Sequence, residues 1–575
     1  MNTDNTSGTI GTPASFDLIV VGSGAAGMTA AVVARLKGLE VLVVEKADLL
    51  GGITAISGGG LWVGNNEPAQ RLGFKDSLDN ARLYFKSVTG AWFDAVRAEE
   101  FLRAGPDMVR LLEQQAGISF APAIDRPDYY PDLPGATLGG RCLFPVEFDG
   151  RELGESIRLL RPPLREMTFL GMMMRPASDL RHFLNATRSI RSLWFVIKRL
   201  TVLAKDRIAH GRSMQLAGGN ALIAHLLRAA LKSGVTIRTS TAATRLLTSN
   251  GRVTGVVCDT RDGPVEFGAR RGVVLAAGGF SHDLGLRAQH YPHLSGANQH
   301  VSPAPAANTG DGIRLGLALG GHTPTLQDAC CWAPVSVVPH GKNKAGAFPH
   351  LIDRQKPGFI AVTRSGRRFV NESHSYHEFG RGLIRAVGSD QEPACYLIAD
   401  HNAVRHYGMG FAKPAPVPLF PYLRSGYLLR GNSIAELAER AGIDAKTLTT
   451  TVAAFNEQAR QGQDPEFGRG SSAYNRYLGN LSHQPNPCVA PIEHGPYYAV
   501  KVHMGELGTF SGLATNEHAQ VLNTDNVVIP GLYAAGNDMS HVMGGNYIGG
   551  GSAIGPCMTF GYIAACHAAT ASGSR

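Results

Sequence analysis

Cysteine is scarce and unpatterned in this 575-residue chain. Cys142, Cys258, Cys395, Cys488, Cys557 and Cys566 stand apart, and only Cys330 and Cys331 adjoin. Without CxxC or other ligand spacing, neither a structural metal site nor a disulfide framework is expected, and the thiols read as the reduced cysteines of a cytoplasmic protein. No stretch approaches ~18 uninterrupted apolar residues, so no spanning helix is expected. The opening MNTDNTSGTIGTPASF has neither a basic region nor an apolar core, so no secretory signal is expected. Charged residues make only 18% against 44% hydrophobic, a balance that excludes wholesale disorder, and the length calls for two or more domains.

Glycine, in contrast, is abundant: 70 residues, about 12% where ~7% is usual. The glycines fall in doublets and triplets between apolar runs, as close backbone approaches to a large cofactor require. The net charge of +9 suggests attraction to an anionic surface, but nothing resembles a nucleic-acid module and no nucleic-acid partner is expected.

The strand-like DLIVV (17–21) runs into Gly22-Ser23-Gly24-Ala25-Ala26-Gly27, then a helical segment, then EVLVVEK with Glu45 and Lys46 at its end. This spacing predicts a strand–turn–helix–strand nucleotide site. Gly22 makes the tight turn, Gly24 admits a pyrophosphate, Gly27 allows close helix packing, and Glu45 accepts ribose hydroxyls. The pyrophosphate meets the positive end of the helix dipole. A second glycine-rich segment, 51–60, carries Gly52, Thr54, Ser57, Gly58 and Gly59, and can line an extended ribityl and flavin ring, which favours FAD over NAD. Ala277-Gly278 after the strand GVVLAA, Asp311 on a glycine turn, and Gly536-Asn537 after VIPGLYAA complete the set. The helix beginning at Ala553-Ile554 is expected to direct its first amides at the flavin pyrimidine.

Together these segments resemble the flavoprotein class of succinate dehydrogenases, fumarate reductases and ketosteroid dehydrogenases, over nearly the whole chain outside about 155–212. The resemblance implies an α/β fold. A discontinuous Rossmann-like FAD-binding domain, 14–325 and 493–575, would carry an inserted α+β catalytic (capping) domain, 326–492. Members with covalent FAD carry a histidine near the second glycine-rich segment; residues 50–60 have none, so non-covalent FAD is implied.

The subfamily follows from GGNYIGGGSAIGP (544–556). No arginine stands between Gly536 and Gly561 to grip a dicarboxylate, as a fumarate reductase would need. Tyr547 and Gly551 instead resemble the 3-ketosteroid Δ1-dehydrogenase pattern. PDYYPDLPGATLGGR (127–141) is similar to the segment with an active-site tyrosine, placed at Tyr129 with Tyr130 as alternative. RRFVNESHSYHEFGR (367–381) is similar to the segment with the catalytic base, placed at Tyr376.

The implied activity is FAD-dependent 1,2-dehydrogenation of 3-ketosteroids, 4-en-3-one to 1,4-dien-3-one, with proton removal at C2 and hydride transfer from C1 to flavin N5. Tyr547 and the Gly551 amide polarise the C3 carbonyl as an oxyanion-hole pair. Tyr376 is the base, and since a phenol's ordinary pKa is about 10, Tyr129 is expected to assist it by hydrogen bonding. His374, His377, His503 and His541 lie near these motifs as alternative bases. A quinone is the expected electron acceptor.

Residues 161–212 depart from the family pattern. They hold eleven Lys/Arg against three Asp/Glu, a net +8. Leu180, Phe183, Leu184, Ile190, Trp194 and Ile197 recur at roughly helical spacing, interleaved with Arg181, Arg188, Arg191, Lys198 and Arg199. This predicts a basic amphipathic helix lying on the inner face of a membrane, beside a substrate that partitions into bilayers. Two rival functions remain: a 3-ketosteroid Δ4-(5α)-dehydrogenase, and a membrane-associated flavin electron relay.

Overall fold

The structure, a computed structural model, describes residues 14–173, 182–183, 186, 189–294, 300–341, 344–388 and 392–571. The first sheet grows from the run ASFDLIVV, Ala14–Val21, whose last four residues are buried on both faces, as a central parallel strand requires. Val41–Val44 and then Thr236–Arg238 flank it on one side, all parallel. On the other side lies Gly263–Leu275, which also pairs in parallel with Val528–Ala534. Antiparallel strands Arg252–Thr260 and Ala242–Ser249 extend the same sheet. Residues from opposite ends of the chain therefore share one mixed sheet with a parallel core, as the expected discontinuous α/β architecture requires.

Gly22, at φ +106°, turns the first strand into helix Ala25–Leu36. A Cβ on Gly27 would stand 2.1 Å from the Gly22 carbonyl oxygen, so only glycine lets helix and strand approach this closely. Helix Ile554–Thr570 packs across Ala25–Leu36, and Gly561 plays the same part there: its Cβ would lie 2.4 Å from the Ala26 oxygen.

A second sheet, antiparallel, stands apart in the order Ala345–Pro349, Cys330–Pro339, Tyr497–Thr509, Ala394–Asp400, Phe359–Val362, with Leu429–Gly431 also on Tyr497–Thr509. Helices Tyr376–Val387, Ile434–Ala441 and Ala445–Ala459 accompany it. Its central strand, Tyr497–Thr509, begins after the boundary expected at 492/493. A 13-residue strand bonded on both edges belongs with its partners, whatever the composition around it.

The basic segment forms helix Ile190–His210, shorter than 161–212. Leu180, Arg181, Leu184 and Arg188 lie outside the described residues. Ile190, Trp194, Ile197 and Ile208 are exposed, while Ser192, Leu203 and Asp206 face the protein. Arg199, one of the interleaved basic residues, is buried and donates to Gln215 Oε1. Among the described residues no helix is long and apolar enough to cross a membrane, and no group of three or more His, Cys, Asp or Glu is arranged to hold a metal ion. All eight cysteines are free.

Candidate active site

One cavity of about 890 Å³ runs between the two sheets. Every expected cofactor residue lines it except Gly27, whose part is the helix packing described above. The wall is bare where a large ligand would lie. Nothing stands within 4 Å of a Cβ built on Gly58, and a Cβ on Gly24 would meet only Thr54 Oγ1, at 3.9 Å. Gly52 is as open, with only Gly24 Cα at 3.9 Å.

The first-turn amides of helix Ala25–Leu36 have no intrahelical acceptors; Ala25 and Ala26 line this space, and Ala25 N–H donates to Thr54 Oγ1 at 3.1 Å. Open glycines, helix-terminal amides and an acidic strand end together fit the pyrophosphate and ribose of a dinucleotide. The donor set present therefore accommodates FAD.

Several of these residues also hold one another. Glu45 accepts from Ser23 N–H, Ser23 Oγ and Ala47 N–H, at 3.1, 2.6 and 2.9 Å. Lys46 Nζ pairs with Asp311 at 2.5 Å, closing the rim. Ser57 Oγ donates to Thr54 O and accepts from Gly59 N–H. Asp538 is a residue the motifs did not single out. Fully buried beneath the turn, it accepts the amides of Ala277 and Gly279, and burial pushes its carboxyl up to about 6.

At the other end of the cavity Tyr129, Tyr376 and Tyr547 meet in one apolar cluster with Cys331, Tyr474 and Phe510. Tyr129 and Tyr376 bring their hydroxyls to 3.3 Å. The Tyr547 ring lies 5.7 Å from that of Tyr129 and 5.3 Å from that of Tyr376. Tyr376 is held at the first turn of its helix, where Ser375 caps Glu378 N–H. Tyr130 turns away: its hydroxyl donates to Glu378 at 2.8 Å, within the Glu378–Arg381 ion pair. Tyr129 is thus the one of the two that borders the cavity.

Gly551, at φ +96°, lines the cavity beside Tyr547, and its amide donates to no acceptor among the described residues. A Cβ there would lie 2.5 Å from the Leu61 carbonyl carbon, so the close approach excludes any other residue.

Burial pushes the phenols of Tyr129 and Tyr376 well above their ordinary range, and that of Tyr547 upward as well. The Arg126 guanidinium pulls Tyr129 and Tyr547 the other way. The expected Tyr129–Tyr376 contact is present, yet after burial it adds to the upward push on the Tyr376 phenol and does not lower it.

No histidine borders the cavity among the described residues. His377 accepts Trp332 N–H and leans toward Asp328, while His541 bonds the Ser552 carbonyl and is held neutral by burial. His374 lies beside Asn475 and His503 beside Glu392. Tyr474, packed 4.5 Å from Tyr129, and Arg126 also border the site and carry no local sequence signature.

A family model described as an FAD binding domain matches residues 17–554. The 4-oxocyclohex-2-ene-1-carboxylate 5-dehydrogenase of Sinomonas cyclohexanicum is 39% identical, over 95% of this chain and 92% of its own. The 3-oxosteroid 1-dehydrogenase of Mycobacterium tuberculosis (strain ATCC 25618 / H37Rv) is 37% identical over 97% and 99%. The solved 3-ketosteroid Δ1-dehydrogenase of Sterolibacterium denitrificans, in complex with 1,4-androstadiene-3,17-dione, superposes with a TM-score of 0.89 at 36% identity, covering 96% of this chain and 99% of that one.

Proposed function

The chain belongs to the FAD binding domain family, and from that premise we propose that it is an FAD-dependent oxidoreductase that dehydrogenates 3-ketosteroids at the 1,2 bond. The observation that carries the reading is the meeting of Tyr129, Tyr376 and Tyr547 with the bare Gly551 amide on one wall of the cavity. Bound FAD supplies the hydride acceptor. The chain's own part is to acidify and deprotonate the carbon beside the ketone.

Tyr547 Oη and Gly551 N–H converge on the position of a carbonyl oxygen and stabilise the charge that develops there. Tyr376 Oη removes the α-proton. Tyr129 Oη, 3.3 Å away, donates to the phenolate when it forms. The surrounding apolar side chains exclude water and suit a flat hydrocarbon better than a flexible acid.

The test is anaerobic mixing of the holoenzyme with 4-androstene-3,17-dione. Bleaching of the flavin with formation of the 1,4-diene is expected. A flavin left oxidised by every 3-ketosteroid points to an electron relay and overturns the reading. Conversion only of a 5α-saturated ketone to its 4-ene would assign the 4,5 bond instead.

The same proposal places the protein in the cytoplasm, at the inner face of a membrane, with a quinone reoxidising the flavin. Its support is helix Ile190–His210, which presents Ile190, Trp194, Ile197 and Ile208 to the outside beside exposed Arg191, Lys198, Lys205 and Arg207. Such a face suits an anionic bilayer. The eight free cysteines agree with a reducing compartment.

A further inference from the structure

Arg126 lies three residues before Tyr129 and borders the same cavity. Its guanidinium is pressed flat on Gly550, the residue before the carbonyl-binding Gly551. A Cβ on Gly550 would stand 2.9 Å from Nε, 3.0 Å from Cζ and 3.1 Å from Nη1. Gly550 has no left-handed backbone that would call for glycine, so its missing side chain serves to seat the guanidinium. Phe144 packs near by, with Cζ 5.6 Å from its ring centroid.

The hydrogen-bonding capacity of this group is almost unused. Nη1 reaches the Cys142 thiol at 3.8 Å, and the buried Nε has no acceptor. No ion pair joins Arg126 to any carboxylate among the described residues. Arg141 shows how the chain otherwise treats a buried guanidinium: it is paired with Asp76 and Asp128 at 2.7 and 2.9 Å. An unpaired guanidinium in an apolar cavity is costly, and the ligand that satisfies its planar fork is a carboxylate.

We propose that Arg126 binds a carboxylate carried by the ketone substrate, so that the enzyme selects cyclic ketones bearing an acid group. This rests on the ring-ketone reading above, because the neighbouring Tyr547–Gly551 pair fixes where the ketone lies. Two kinds of molecule present this chemistry: a monocyclic 4-oxo acid, and a 3-ketosteroid with an acidic side chain.

Two measurements on the FAD-loaded protein test the assignment. The first is calorimetric titration with cyclohexanecarboxylate, which has the acid but no ketone, against cyclohexanecarboxamide. The native protein is expected to bind the acid selectively, and Arg126→Met to lose that selectivity. The second is the rate of anaerobic flavin bleaching by 4-oxocyclohexanecarboxylate and its methyl ester, and by a 4-en-3-one steroid acid and its methyl ester.

At least about 100-fold preference for the acid is expected in one pair, and that pair identifies the source. Arg126→Met, with flavin retained, should bring acid and ester to similar rates, and Arg126→Lys should restore part of the preference. Equal rates for acid and ester in both native pairs would overturn the proposal. So would an equal loss on acid and ester in Arg126→Met, since Arg126 would then act on the ketone. If no ketone bleaches the flavin but cyclohexanecarboxylate still binds through Arg126, the ring-ketone reading fails and the carboxylate site stands.

Discussion

The hydroxyl of Tyr129 lies 3.3 Å from the hydroxyl of Tyr376, with the two rings nearly perpendicular at 87°. Tyr129 comes from a loop and Tyr376 from the first turn of helix Tyr376–Val387, 247 residues further along the chain. The pair can assemble only when these distant segments pack on one another.

Replacing Tyr376 with Phe is expected to slow ketone-driven flavin reduction by about 10²–10⁴-fold, the usual worth of a positioned base. Tyr129→Phe should cost less, because it removes only the supporting hydrogen bond. Because burial pushes the Tyr376 phenol well up, the active phenolate is the minor form and grows tenfold per pH unit. Stopped-flow rates should therefore rise with pH through the alkaline range. A native rate in Tyr376→Phe would assign the proton to another group.

Gly24 and Gly27 should fail in different ways. A methyl at 24 projects into the cavity, where only Thr54 Oγ1 lies within 4 Å. Gly24→Ala is therefore expected to lose bound FAD while shifting the stability of the stripped protein by under about 1 kcal/mol. A methyl at 27 meets the Gly22 oxygen, and Gly27→Ala should destabilise the stripped protein by about 1–3 kcal/mol. Flavin absorbance and urea unfolding separate the two; the same loss in both would remove the distinction.

His293 and His541 are held neutral by burial, with pKa values lowered to about 3. The unfolded chain protonates these rings below pH 6.5 and the folded chain does not, so stability falls as pH drops from 6.5 toward 3. At pH 5 the loss is about 2 kcal/mol for each ring. His541→Gln should flatten that dependence, as read by denaturant unfolding at pH 5 and 7.5. A variant as acid-sensitive as the native protein would acquit His541.

The exposed face of helix Ile190–His210 makes the membrane reading testable without deleting the segment. Ile190→Ser, Trp194→Ser and Ile208→Ser together should abolish most co-sedimentation with anionic liposomes and leave bound FAD in place. Undiminished co-sedimentation would remove this helix as the docking element.

The nucleotide motif was legible because its chemistry is local. Turn, helix start and strand-end acid lie within about thirty residues, and each has its own residue preference. Tyr547 and Tyr376 were legible through the glycines and polar residues around them. Arg126 and Tyr474 were not, because what marks them is a neighbour far along the chain: Gly550 beneath the guanidinium, and Tyr129 against the ring. Strand Tyr497–Thr509, which joins the second sheet from beyond the expected 492/493 boundary, was hidden for a related reason. Nothing inside it tells which sheet it joins, since register is decided by strands more than sixty residues away. Arg199 shows the limit of helical spacing, which fixes a stripe but not which basic residue turns inward to meet Gln215.

The pairing of Val528–Ala534 with Gly263–Leu275, and the crossing of Ile554–Thr570 over Ala25–Leu36, bear on how the protein is made. A growing chain has its glycine turn and first helix ready early, yet Gly536, Asn537, Ala553 and Ile554 of the same cavity wall are translated only roughly five hundred residues later. Capture of the flavin by the complete site is thereby postponed until that stretch has been made. A chain stalled before residue 554 carries the nucleotide motif without that part of the wall.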